Sequence, residues 1–315
     1  MTNHLSNYNN CRLCPRSCNI DRRSSHGFCG EGSSLCLGFA GIHSGEEPPI
    51  TGNNGSGTIF VSGCNLGCAF CQNYQISKEG MGREVSTDKF SEICLALQRR
   101  GAENINIVTG SHAAPALALG IMEARQKGLN IPVVWNSSAY DGKESLDILE
   151  DFVDIYLPDL KTLNPQVSGK YFHAPDYPDR AKEAILRMMD SKPIKYNGIC
   201  LSSGVIIRHL ILPSYLDNSR EVLEWFAKNC KGRALLSLMT QYTPVKSSGE
   251  IPGRYVSEEE YNAVLYMLQE YEIDFGFSQE LVRGSDWLPD FNRTNPFSSE
   301  LSIPVWHWKT GFHID

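Results

Sequence analysis

No stretch of this 315-residue chain approaches the roughly 18 consecutive apolar residues that a bilayer-crossing helix needs. A membrane span is therefore not expected. A basic excess is missing too: 29 Lys and Arg stand against 36 Asp and Glu, a formal net charge of −7, which argues against a broad nucleic-acid surface. Internal repeats and low-complexity tracts are absent. Met1–Asn10 is polar and lacks the apolar core of a secretory leader, so a cytoplasmic location is expected. What is present is 41% hydrophobic residues, enough for one large domain with a small appendage.

A reducing compartment changes the meaning of the 11 cysteines, because clustered thiols there are metal ligands or catalytic groups more often than disulfides. Five fall within Cys11–Cys36 and three within Cys64–Cys71, while Cys94, Cys200 and Cys230 are scattered and read as small core residues. The first group, Cys11-x2-Cys14-Pro15-Arg16-Ser17-Cys18 followed by Cys29, offers a second metal site. Cysteine-only ligation leaves zinc and a 4Fe–4S cluster equally open for Cys11, Cys14, Cys18 and Cys29.

From Thr58 onward short β-branched runs alternate with helical patterns. Strands are predicted at Thr58–Val61, Ile105–Thr109, Pro132–Trp135, Val153–Leu157, Val205–Leu212 and Ala234–Met239, with a further one at Ile273–Phe277. Helices are predicted near Lys89–Arg100, Pro115–Lys127, Lys143–Asp151, Arg180–Asp190, Asn218–Asn229 and Glu258–Tyr271, the last opened by a capping box at Ser257 and Glu260. Apolar strands alternating with helices imply an α/β fold with a covered parallel sheet. Six units of this length fit a partial TIM-like (β/α)6 barrel, with a doubly wound sheet as the alternative. The expected organisation is a Cys-rich lobe over residues 1–50, the barrel over 51–285 and a tail over 286–315 packed across it.

Cys64, Cys68 and Cys71 stand at C-x3-C-x2-C spacing in the loop after the first predicted strand, where catalytic groups of such folds gather. A 4Fe–4S cluster needs a ligand for each of four irons, so three cysteines leave one iron open. An open iron can take the amino and carboxylate groups of S-adenosylmethionine (SAM), and an electron from the cluster then cleaves the sulfonium to a 5′-deoxyadenosyl radical. A zinc knuckle fits less well, because no nearby His or Cys completes the triplet. Asp159 and Lys161, two apart on a strand end, point the same way. Arg208 is a costly residue to bury in an apolar strand without an anionic partner.

These motifs resemble the radical SAM superfamily. The branch they are most similar to holds pyruvate formate-lyase activating enzymes and largely uncharacterised relatives with an N-terminal Cys-Pro-Arg motif. The resemblance rests on Leu13–Arg16, the Cys64–Cys71 loop, Gln72-Asn73-Tyr74, Tyr156–Lys161, Arg208–Pro213 and Gln241-Tyr242. It implies that Cys64, Cys68 and Cys71 ligate the cluster, that Phe70 lies against the adenine, and that Asn73, Asp159, Lys161 and Arg208 help hold SAM. Tyr242 falls where the activating enzymes place an aromatic or His near the adenine, with core packing as its other role. Asn136, ending the third strand, falls where they make cation and ribose contacts. Those enzymes carry Gly-Gly-Glu-Pro after strand two, but here the stretch is Thr109-Gly110-Ser111-His112-Ala113-Ala114-Pro115, without an acid. Ser111, His112 or backbone carbonyls are then left to bind the SAM ammonium, or His112 faces the substrate as a proton relay.

The resulting expectation is an activating-enzyme-like oxidoreductase that abstracts hydrogen after reductive SAM cleavage, fed by a donor such as flavodoxin or ferredoxin. Its target is a glycyl radical enzyme or another protein or peptide. The alternatives are a small metabolite as substrate, and a non-catalytic iron–sulfur or zinc scaffold.

Overall fold

Strand-forming runs appear where Val, Ile and aromatic residues crowd between Gly-, Asn- and Pro-rich turns, since such side chains pack well on a pleated surface. A computed structural model describes residues 4–245, 251–285 and 287–313. The first and last residues of the expected tail lie outside the described residues. Among the described residues twelve strands form the sheet: β1 (Leu35–His43), β2 (Ser56–Val61), β3 (Arg83–Val85), β4 (Ile105–Val108), β5 (Val133–Ser137), β6 (Ile155–Pro158), β7 (Lys195–Asn197), β8 (Cys200–Leu210), β9 (Leu235–Met239), β10 (Gly276–Ser278), β11 (Ser302–His307) and β12 (Gly311–Phe312).

Their order is β10-β9-β8-β6-β5-β4-β2-β1-β11-β12, with β3 on β1 and β7 on β8. The seven strands from β2 to β10 along that path pair in parallel, and the path does not close on itself. This is the α/β, partial TIM-like barrel that the alternation of patterns implied. The predicted capping box is present: Ser257 accepts from the Glu260 amide while the Glu260 carboxylate accepts from the Ser257 amide.

Two segments differ from expectation. Leu35–His43, placed by its cysteine neighbours in the N-terminal lobe, is a nine-residue strand antiparallel to β2. The tail does not merely lie across the barrel, because β11 pairs antiparallel with Phe39–His43 of β1. Gly38 and Gly41 dilute the strand signal in β1, and Pro304 does so in β11.

Alternation along the strands builds two layers inside the barrel. Val134, Ile155, Ile206 and Leu235 form an apolar floor, sealed from below by Ile50 of the loop between β1 and β2. Two residues further along the same strands stand Asn136, Arg208 and Ser237, and β6 contributes Asp159 at its end. These four residues line a cavity of about 750 Å³ above the floor. The opposite phase, including Val133, Trp135, Tyr156, Val205, Ile207 and Leu236, packs outward under the helices.

Candidate active site

The carboxyl ends of the parallel strands carry charge that the apolar strands do not need for folding. Arg208 donates from Nε to Asp159 at 2.7 Å and from a terminal nitrogen to the Asn136 side-chain oxygen at 2.6 Å. Lys161 reaches the other Asp159 oxygen at 2.7 Å. Burial alone would raise the Asp159 carboxyl, but Arg208 and Lys161 hold it below its ordinary range. The strand end is fixed from behind. Tyr177 donates its hydroxyl to the Asp159 carbonyl at 2.7 Å and accepts from the Lys161 amide at 2.9 Å. His209 faces the Leu160 carbonyl with Nδ1 at 2.9 Å, so that nitrogen carries the proton, and Nε2 accepts from Ser219.

Two acids reach this network from the loop after β1. Glu46 accepts from Asn106 at 3.0 Å and lies 3.5 Å from Arg208. Glu47 is only 8% exposed, and one of its carboxylate oxygens has no hydrogen-bond partner. Burial raises both carboxyls, against the pull of Arg208. Nothing in sequence separated them from a solvated Ser-Gly-Glu-Glu turn; only the fold buries Glu47 and half-buries Glu46 on the cavity wall.

The cysteine loop follows β2 at the same end. Cys64, Cys68 and Cys71 all line the cavity, with Phe70, Gln72 and Asn73 beside them. The amides of Leu66 and Gly67 point at Cys64 Sγ from 3.4 and 3.5 Å, and Ser77 Oγ lies 3.3 Å from Cys71 Sγ. Burial pushes the Cys68 thiol up, opposed first by the Lys161 ammonium. Phe70 is boxed by Tyr171, Phe172 and Tyr242 at ring separations of 5.7–5.8 Å.

The cavity therefore gathers Cys64, Cys68, Cys71, Phe70, Asn73, Asn136, Asp159, Lys161 and Arg208. Three sequence candidates stand elsewhere. Ser111 donates to the buried Asp141 at 2.7 Å, and His112 turns Nε2 to the Ser62 carbonyl at 2.8 Å, so neither lines the wall. Thr109 is the cause: its left-handed φ of 63° directs the chain away immediately after the wall. Tyr242 packs behind Phe70 and donates its hydroxyl to the Pro252 carbonyl at 2.8 Å. Cys11, Cys14, Cys18 and Cys29 lie together in the N-terminal lobe rather than on the cavity. Sequence reasoning also missed Thr109, Ser237 and the tail residues Trp287 and Phe297 as lining residues.

The profile of the Radical SAM superfamily matches residues 58–225. An uncharacterised protein of Methanocaldococcus jannaschii is 30% identical over 276 residues, covering 85% of this chain and 76% of that one. The chain belongs to the radical SAM superfamily. Streptococcus suis SuiB bound to S-adenosylmethionine superposes with a TM-score of 0.50 at 14% identity, over 69% of this chain and 48% of SuiB. This chain thus spans about half the length of SuiB, and the likeness is one of fold. Methylornithine synthase (PylB) gives a TM-score of 0.49 at 12% identity, over 80% of this chain and 75% of that one.

Membership in this superfamily brings a 4Fe–4S cluster and SAM. The residues present suit both. Three thiols and two sulfur-directed amides ring one end of the cavity, and amide donors to sulfur are a recurrent feature around such clusters. Its volume falls in the range of small-molecule sites. Among the described residues no three His, Cys, Asp or Glu side chains converge on the position of a single ion.

Proposed function

We propose that Cys64, Cys68 and Cys71 hold three irons of the cluster and that SAM occupies the cavity between them and the Asp159–Arg208 network. The observation that carries this reading is the meeting of the three thiols and the Asp159, Lys161 and Arg208 charges on one cavity. When bound, the cluster and SAM supply reductive sulfonium cleavage to a 5′-deoxyadenosyl radical that abstracts hydrogen. The remaining roles belong to the chain. Lys161 pairs with the SAM carboxylate, sharing its charge with Asp159, and Phe70 lies at the adenine. Asn73 and Asn136 offer polar contacts, Arg208 holds Asp159 ionised, and the SAM amino group falls to the backbone at Thr109. Strand ends clamped by Tyr177 and His209 keep these groups in place without reorganisation. A reduced flavodoxin or ferredoxin supplies the electron.

The motif resemblance supports a protein or peptide as the acceptor of the radical, in the manner of an activating enzyme. A small polar molecule is the second reading, favoured by a specific observation: Trp287 and Phe297 of the tail line the cavity together with half-buried Glu46 and buried Glu47.

Anaerobic enzyme given a strong reductant should form 5′-deoxyadenosine from SAM, and the combined Cys64→Ala, Cys68→Ala and Cys71→Ala variant should not. Turnover by that variant would refute the assignment. A reduced cluster whose electron paramagnetic resonance spectrum ignores SAM would favour the scaffold reading. Methylene-deuterated SAM incubated with host extract separates the acceptors, by deuterium in the protein or in the small-molecule fraction.

A further inference from the structure

The N-terminal lobe holds a buried cation without an acid to match it. Arg22 is 2% exposed. Its guanidinium donates to the carbonyls of His112 at 2.5 Å, Glu31 at 3.2 Å and Gly32, and to Cys11 Sγ at 3.9 Å, with its charge over the Tyr8 ring. Among the described residues no carboxylate oxygen comes within 4.0 Å of it, although Glu31 is near enough to feel its field. Carbonyls satisfy the donors but leave the charge unpaired, and an unpaired buried charge is costly.

Two thiols of the lobe, Cys11 and Cys29, lie near that charge. Cys14 lies close enough to Cys11, Cys18 and Cys29 for each to act on it electrostatically, and the sulfurs of Cys18 and Cys29 are each 3.5 Å from where a Cβ on Gly27 would sit. Ser17 and Asn19, with φ of 42° and 54°, turn the chain on either side of Cys18 so that it folds back on Cys11, whose carbonyl accepts from the Asn19 amide. The sulfurs do not converge on the position of one ion, so a single zinc would need them to rotate inward, whereas a cluster takes each thiolate on a different iron.

The lobe is also tied to the Cys64 loop. The Cys64 amide donates to the Cys29 carbonyl at 3.1 Å, and Gly63 (φ 79°) allows this approach, since a Cβ there would sit 2.9 Å from the same carbonyl. Arg16 donates to the carbonyls of Asn65 and Leu66 at 3.0 and 3.2 Å and to those of Phe172 and His173 at 2.8 and 2.6 Å.

We propose that Cys11, Cys14, Cys18 and Cys29 form a second, four-thiolate metal centre whose negative charge is offset by Arg22, and that this centre positions the Cys64 loop through Cys29 and Arg16. Four thiolates around zinc or around an oxidised 4Fe–4S core carry two net negative charges, the anion that Arg22 otherwise lacks. The centre does not depend on the assignment of the radical site.

The test uses the full chain with Cys64, Cys68 and Cys71 all changed to Ala, purified anaerobically and analysed for zinc, iron and sulfide. About one zinc, or about four irons with matching sulfide, per folded chain is expected, and the sulfide distinguishes the two. A folded but metal-free variant overturns the proposal. If that variant does not fold, Cys11→Ser with Cys14→Ser in the otherwise native chain must remove the same complement, and unchanged total metal overturns it. Arg22 is tested by metal release to a chelator. Arg22→Gln, which keeps donors but not charge, should release metal about tenfold faster than the native chain, while Arg22→Lys should stay near the native rate. Equal rates for the two variants would refute the charge-offset role.

Discussion

On the reading proposed above, Lys161 answers to two anions, Asp159 now and the SAM carboxylate when it is bound. Lys161→Ala should therefore leave iron content intact and weaken SAM binding by about 1.5–3 kcal/mol, roughly ten- to a hundredfold, as measured by calorimetry. Asp159→Asn is the harsher change, because it strands two largely buried cations at once. A loss of about 3–5 kcal/mol in unfolding free energy is expected from denaturant titration, and a loss under about 1 kcal/mol would show that Arg208 finds sufficient compensation in Glu46 and Asn136. These charged residues were legible in sequence because a charge in an apolar strand stands out. Glu46 and Glu47 were not, because burial came from a remote loop rather than from their own neighbours. Ser111 and His112 were misplaced by one left-handed residue, Thr109, which no periodicity reveals.

Among elements, the clamp between the ends of β6 and β8 has a pH signature. Burial lowers the folded-state proton affinity of His209 to about 4, against an unfolded value of about 6.5. The neutral ring thus contributes stability that is fully present above pH ~6.5 and is lost progressively as the pH falls towards about 4, on the order of 3 kcal/mol. Burial also lowers His43, to about 4, so it adds to the same slope. Urea midpoints measured from pH 7 to 4 should fall in the native chain and fall less steeply in His209→Gln. Parallel curves would show that His209 does not govern this window. The element pattern itself was largely readable, since the parallel strands from β2 to β9 are mostly apolar and alternate with helical patterns. The antiparallel strands β1 and β11 escaped notice, because glycine and proline interrupt them and because pairing between residues 39 and 307 has no local signal.

At the scale of the whole molecule, the pairing of β1 with β11 has a consequence for synthesis. Phe39–His43 pairs on one side with β2 and on the other with residues 302–307. A ribosome making this chain therefore completes nearly all of the barrel while the outer edge of β1 still lacks its partner. An uncovered hydrophobic edge strand is a template for pairing with other chains. The nascent protein thus carries an adhesive seam until residues 302–307 emerge. A chain ended after Glu300 should form a barrel that aggregates with time, read by light scattering, and a synthetic peptide spanning residues 301–313 added in trans should suppress it. A truncated chain that stays monomeric without the peptide would show that the seam is guarded by other means.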